Sequence, residues 1–273
     1  IEFQDLKVYI RRLQEIALRP REAVKVLEKP APEPIDFSKW GPIVKKPLSS
    51  LRQTICRRML ESWTTIPHVT QFDEADITAL MELRKKHQEA YEQKGARLTL
   101  TSFALKAALA ALKKFPIVNA SLDEAAQELV FKNYYHIGLA VDTEAGLIVP
   151  VIRDVDKKTV LELSRELSDL AEKARSRKIA LEDLKGGSFT ISNQGGIGGA
   201  HFTPIVNKPQ LAILGLGRSA LKPMIKGNAV EPRLMLPVCL SYDHRVIDGG
   251  TAVRFVVEVV QALENFREEE VQT

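Results

Sequence analysis

Ser241-Tyr242-Asp243-His244-Arg245-Val246-Ile247-Asp248-Gly249-Gly250 is the stretch from which the fold of this 273-residue chain is read. The run Arg233-Leu-Met-Leu-Pro-Val-Cys-Leu-Ser-Tyr242 leads into it. That run is mostly apolar and β-compatible, which predicts a core strand. After Gly249-Gly250, the segment Thr251 to Leu263 is long and apolar enough for a helix with a buried face. His244 therefore stands where a core strand ends and a turn begins, a rigid place to hold a reacting side chain. An imidazole titrates near pH 6.5 when unperturbed, so it can take and return a proton near neutrality. The alternative is a histidine satisfied by backbone in a tight corner. Flanking Asp243, Asp248 and the double glycine favour chemistry. Asp248, four residues on, can pin the turn through an ion pair or orient the site.

Moving outward, Leu211 to Leu216 reads as another strand, followed by a hairpin around Lys226-Gly227-Asn228. Phe189-Thr-Ile-Ser-Asn193 is a short strand that opens into Gln194-Gly-Gly-Ile-Gly-Gly-Ala-His-Phe-Thr-Pro204. Leu129 to Asp142 is a long strand candidate. Glu144-Ala145-Gly146 turns, and Leu147 to Arg153 returns as a second strand. Helices are expected over 51–63, after Asp76 as cap, over 100–114 and over 162–177. Ile66 to Asp76 alternates as a strand. The result is a mixed β-sheet flanked by helices, in the α/β or α+β range. Residues 3–17 form a short amphipathic helix. Lys29-Pro-Ala-Pro-Glu-Pro-Ile35 reads as part of an extended linker over 18–37, and the main domain occupies 38–273.

Several chemistries are disfavoured. The glycines after Ser192 lack the Lys-Ser/Thr of a phosphate loop and the following helix of a dinucleotide site. They more plausibly let backbone approach a ligand or another subunit. Ser192 lies outside any Gly-x-Ser-x-Gly elbow, so it reads as a hydroxyl donor to an oxyanion or as a structural serine. Five histidines (His68, His87, His136, His201, His244) show no paired spacing, so no metal is expected. Arg84, Lys85 and Lys86 make a basic cluster on one helix, either a solvated face or a phosphate contact.

The totals agree with a soluble globular protein. Hydrophobic residues make up 45% and charged ones 27%. The net charge of +4 comes from 39 basic and 35 acidic residues, too balanced to argue for nucleic acid. No apolar run reaches membrane-spanning length. Cys56 and Cys239 are far apart and read as buried thiols without a disulfide. The opening Ile1-Glu-Phe-Gln, mid-element and without Met, suggests a piece of a longer protein.

The Asp243-His244-Arg-Val-Ile-Asp248-Gly249 stretch resembles the His-x-x-x-Asp-Gly signature of dihydrolipoamide acyltransferases and chloramphenicol acetyltransferases. Ile66-Pro-His-Val-Thr, Gly138-Leu-Ala-Val-Asp-Thr, Gly146-Leu-Ile-Val-Pro-Val-Ile-Arg, Phe202-Thr-Pro-Ile-Val-Asn and Pro232-Arg-Leu-Met-Leu-Pro follow in that family's order. The likeness covers roughly residues 38–265. With serine at 192, it is most similar to the branch serving pyruvate dehydrogenase. Residues 1–17 resemble the last helix of the peripheral subunit-binding domain.

The resemblance implies a chloramphenicol-acetyltransferase-like fold and acyl transfer between S-acetyl-dihydrolipoamide and coenzyme A. The lipoyl group would be carried on a domain absent from this chain. His244 would be the base, Ser192 the oxyanion donor and Asp248 the histidine's companion. Arg84 with Lys85 or Lys86 would meet coenzyme A phosphates, and Leu214 would wall the pantetheine channel. A homotrimer is the implied active unit, with His244 of one subunit meeting Ser192 of the next. Such trimers build a 24-subunit core that binds a 2-oxo acid dehydrogenase and dihydrolipoamide dehydrogenase. Asn265-Phe-Arg-Glu-Glu-Glu-Val-Gln-Thr273 is an acidic ending that suits a hydrophobic plug poorly. Bacterial cytoplasm or mitochondrial matrix are the implied compartments. Succinyl or branched-chain transfer and a non-catalytic scaffold are the competing readings.

Overall fold

A computed structural model describes residues 3–18, 35–144 and 146–272. The chain divides into two compact units, Ile1–Pro47 and Leu48–Thr273. The first holds helix α1, Phe3–Leu18, as its periodicity predicts. Residues 19–34 of the expected linker lie outside the described residues. Asp36 caps a 3-10 turn over Phe37–Lys39. Residues 42–49 form no regular element, and the second unit begins ten residues later than the sequence reading sets it.

The second unit is a mixed sheet with helices against it. In chain order its elements are α2 (Ser50–Thr65), β1 (His68–Asp76), α3 (Thr78–Gln93), α4 (Leu100–Lys114), β2 (Ala120–Asp123), β3 (Glu128–Phe131), β4 (Ile137–Ala140) and β5 (Val151–Ile152). There follow α5 (Val160–Arg175), β6 (Phe189–Asn193), β7 (Ala212–Leu216), β8 (Ala220–Lys226), β9 (Ala229–Asp243) and α6 (Gly249–Glu264). The sheet runs β1-β9-β7-β6-β4-β5, with β8 paired further along β9, while β2 and β3 form a separate hairpin. Only the β4–β6 and β6–β7 pairs are parallel. β4 and β7 are apolar along their whole length, while β6 carries Thr190, Ser192 and Asn193 beside its buried Phe189 and Ile191.

Helices α4 and α6 fill the core. On α6, Ala252, Phe255, Val256, Val259, Val260 and Leu263 are buried, the spacing of one helical stripe. Phe255 meets Phe189 of β6 at 5.9 Å and Phe115 at 6.2 Å. Fully burying one such ring stabilises the fold by roughly 2 kcal/mol.

Three expectations change. The strand expected over 129–142 is two strands in two sheets. The buried Asn119 amide donates to the carbonyls of Lys132 (2.9 Å) and Tyr134 (3.0 Å), which breaks the run. The return over 147–153 shrinks to a Val141–Ile148 bridge and β5. Pro150 there lacks an N–H, and its carbonyl accepts from Leu139. Asp76 accepts from the Thr78 backbone and hydroxyl, but the helix cap itself is Ile77.

Part of the glycine-rich stretch packs on the chain's own backbone, while Gly196 and Gly198 face open space. A Cβ on Gly217 would stand 1.8 Å from the Ala200 carbonyl oxygen, and one on Gly195 would stand 2.7 Å from the Gly217 carbonyl oxygen. Two backbones thus touch where β6 and β7 end. Gly217→Ala is expected to cost about 3 kcal/mol, because backbone rather than a flexible side chain must move. Calorimetry should find the melting temperature lowered by roughly 10 °C.

The C-terminal segment folds back on α3 and α4. Phe266 meets Phe103 edge-on at 5.0 Å, and Val271 is fully buried. The Tyr91 hydroxyl donates to the Val271 carbonyl at 3.0 Å, and burial pushes that phenol up to about 12. Glu268 pairs with Lys86 at 2.7 Å and with His87 at 3.0 Å. The hydrogen bond from Lys86, then that from His87, holds the Glu268 carboxyl below its ordinary value. A depressed carboxyl contributes stability above its unfolded pKa of about 4.3 and loses it as pH falls through the folded value. Amide protection in 266–272, measured against the intrinsic exchange rate at each pH, is therefore expected to fall below about pH 4. Glu268→Gln should abolish that pH dependence.

Candidate active site

β9 delivers His244. Its register places Asp243 opposite His68 on β1, and the Asp243 backbone N–H donates to Leu211 beside β7. The next N–H, that of His244, donates to the Pro67 carbonyl at 3.1 Å, so the chain is held one residue past the strand end. The His244 ring lies over buried Tyr242, with centroids 5.8 Å apart and planes 29° apart. Neither ring nitrogen bonds to a described residue, and the residue is exposed on the single chain. The imidazole is thus aimed but not used up, which the backbone-satisfied alternative would not leave.

Across the ladder, His68 is spent structurally. Its Nδ1 bonds the Ile66 carbonyl at 2.8 Å, and its Nε2 accepts from the Val206 N–H at 3.0 Å. Residues 205–206 are therefore a loop tied to β1.

Ser192 lies on buried β6 and is 6% exposed. No described residue accepts its hydroxyl proton. Its ladder partners are Gly215 on β7 and, beyond it, Cys239 on β9. Ser192 therefore stands level with Cys239, five residues short of His244. That is roughly 16 Å along the strands and roughly 10 Å across them. Within one chain, hydroxyl and imidazole cannot meet.

Asp248 caps α6, accepting from the Thr251 N–H at 2.6 Å. The Thr251 backbone bond, foremost among several, holds its carboxyl below the usual value, so it is ionised at neutral pH. It fixes where the turn after His244 becomes helix.

The expected cofactor residues divide. Leu214 pairs with Ile191 and Leu240, all fully or nearly fully buried in the main core. It lies on the sheet face opposite Ser192, within the core of the single chain. Arg84 spends its Nε on the Leu98 carbonyl at 3.0 Å. Lys86 is paired with Glu268, and Lys85 is exposed. Cys239 is buried, and desolvation pushes its thiol up to about 11. Cys56 is exposed, against expectation, because it falls on the outer side of α2. Among the described residues no cluster suited to a metal occurs, and no helix is long and apolar enough to cross a membrane. A cavity of about 320 Å³ lies between α5 and the β4–β6 strands, lined by Thr101, Asn193 and Arg175. It contains none of His244, Ser192 or Asp248.

Comparison with known proteins follows this geometry. The sequence model described as 2-oxoacid dehydrogenases acyltransferase (catalytic domain) matches residues 41–269. The chain belongs to this acyltransferase family. It is 47% identical over 238 residues to the dihydrolipoyllysine-residue acetyltransferase component of the Pseudomonas aeruginosa pyruvate dehydrogenase complex, covering 87% of this chain and 43% of that protein. The Staphylococcus aureus counterpart is 40% identical, covering 88% of this chain and 56% of that one. The chain thus spans about half or less of these relatives' length.

Among solved structures, the Azotobacter vinelandii dihydrolipoamide acetyltransferase superposes with a TM-score of 0.85. It is 47% identical, over 88% of this chain and 98% of that one. That work concerns the role of a serine, a histidine and an asparagine in the catalytic mechanism. The three are separated there by 52 and 4 residues. Ser192, His244 and Asp248 stand at the same two spacings here. The cubic core of the pyruvate dehydrogenase multienzyme complex also matches, at TM-score 0.85 and 46% identity, over 88% of this chain and 98% of that one.

The sequence reading did not anticipate Tyr242 under the histidine, nor the pairing of Asp243 with Arg245. The opposite charges two residues apart around His244 were the signal for the second.

Proposed function

We propose that this domain transfers an acetyl group between S-acetyl-dihydrolipoamide and coenzyme A, within the core of a pyruvate dehydrogenase complex. The observation that carries this reading is the shared spacing of Ser192, His244 and Asp248 with the catalytic serine, histidine and asparagine of the Azotobacter protein. A thiol of pKa about 8.5 is mostly protonated at neutral pH, and the thiolate is the nucleophile. His244 removes the coenzyme A thiol proton. The thiolate attacks the thioester carbonyl, and Ser192 donates a hydrogen bond to the resulting oxyanion. Collapse expels the dihydrolipoamide thiolate, which takes the proton back from the imidazolium. No acyl-enzyme forms. Asp248 replaces an asparagine of the relative and keeps the helix-capping oxygen.

The separation of Ser192 from His244 within one chain supports a shared site, in which a second copy brings its serine to this histidine. A homotrimer is then the smallest active unit. Lys85 and Arg84 on α3 make no ion pair with described residues, Arg84 spending only its Nε on a neutral carbonyl, so these two meet the coenzyme A phosphates first. Lys86 joins once Glu268 moves aside. Phe266 and Val271 pack within their own chain, which favours a trimer over a 24-subunit core plugged by this segment. The partner enzymes are a 2-oxo acid dehydrogenase and dihydrolipoamide dehydrogenase. The compartment is bacterial cytoplasm, as the relatives are bacterial.

The test is steady-state transfer to free dihydrolipoamide from acetyl-, succinyl- and isobutyryl-coenzyme A. Acetyl should be preferred by kcat/KM. Preference for another acyl group reassigns the complex, and no transfer from any donor leaves a scaffold.

A further inference from the structure

Resting on the assignment of His244 as base, we propose that Arg245 is a positioning residue for it. Its ion pair with Asp243, the residue on the other side of the histidine, sets the direction in which the imidazole leaves the backbone.

The Asp243 side chain is 1% exposed. A carboxylate so buried needs a partner with good geometry. Arg245 supplies one twice over. Its Nε donates to Oδ1 at 3.0 Å and its Nη2 to Oδ2 at 2.7 Å, a fork only a guanidinium can make. The Arg245 backbone N–H also donates to Oδ1 at 3.0 Å. These bonds close rings across the peptide units on both sides of His244. Residues 244–246 form a turn, closed by the Val246 and Ile247 N–H groups donating to the Asp243 carbonyl at 3.1 and 3.0 Å, so joining the 243 and 245 side chains locks the turn from which the imidazole leaves.

The clamp is itself anchored. Arg245 Nη2 reaches Glu124 Oε1 at 3.4 Å, in the turn between β2 and β3. Lys208, ahead of β7, meets the same Glu124 oxygen at 3.2 Å and Glu61 on α2 at 3.7 Å. Three charges from three further elements thus brace the two flanking residues, while Tyr242 and the Pro67 carbonyl hold the histidine itself. Arg245 need not touch substrate. Its effect passes through the ring it aims.

The test uses the assembled protein with acetyl-coenzyme A and dihydrolipoamide. Arg245→Gln is expected to lower kcat about 100-fold, the usual consequence of displacing a reacting group by an ångström. The KM for acetyl-coenzyme A should stay within about twofold. Arg245→Lys, which keeps the charge but loses the fork, should recover part of kcat. The double variant His244→Ala/Arg245→Gln should be no slower than His244→Ala alone, because no imidazole is left to aim. A folded Arg245→Gln protein with wild-type kcat overturns the proposal. So does a double variant whose losses multiply. If Arg245→Gln does not fold, Glu124→Gln takes its place. It leaves Asp243 paired and should lower kcat a few-fold, and an unchanged kcat overturns the proposal. A His244→Ala protein with full activity would instead remove the base assignment, and the clamp's role with it.

Discussion

His244→Ala is expected to lower kcat for acetyl transfer about 1,000-fold, within the range for losing a general base, while the assembly stays intact. The ring is exposed on the single chain and makes no hydrogen bond to a described residue, so removing it leaves no buried donor stranded. The variant's residual activity should rise with pH, narrowing the loss, as the thiol of pKa about 8.5 ionises without help. Wild-type activity and its pH profile are therefore compared with the variant's between pH 6 and 9. Equal rates at pH 7 would mean that another group takes the thiol proton.

Ser192→Ala should lower kcat about 100-fold with coenzyme A affinity little changed, the loss seen on removing one oxyanion donor. The Ser192 side chain is nearly buried on a central strand, and alanine fits there without strain. Co-expression of this variant with His244→Ala makes the sharper test. If a site takes its histidine from one protomer and its serine from the next, roughly a quarter of sites in randomly mixed trimers are whole. Activity should return to about that fraction of wild type. Mixtures no more active than either variant alone would show that each chain carries its own complete site.

Much of the fold is legible because the decisive signals are local. Phe189 to Asn193, alternating apolar and polar, and Leu211 to Leu216, an apolar run, are both read as strands and found as strands. The α4 boundaries follow from Thr99 and Pro116. The failures have non-local causes. One strand became two because Asn119, more than ten residues away, captures two carbonyls in the middle of the run. Family position does not reveal which sheet face Leu214 takes. Register with Ile191 does. Lys86 looked free because its partner Glu268 is 182 positions along the chain. Ser192 and His244 were recognisable as chemistry, but their separation depends on ladder register, which sequence alone does not give.

β9 pairs with β1, β7 and β8 and ends in the residue that carries His244. The proposed base therefore hangs from the end of the strand with the most ladder partners among the described residues. A slip of one residue would turn Asp243 out of its buried pairing and swing the imidazole to the wrong side. Heat inactivation should track the loss of β-sheet signal degree for degree, with no warm state that is folded yet inert. Enzyme assay thus becomes a readout of strand order, and mutations far out on β8 are expected to register as lost turnover before they register as aggregation.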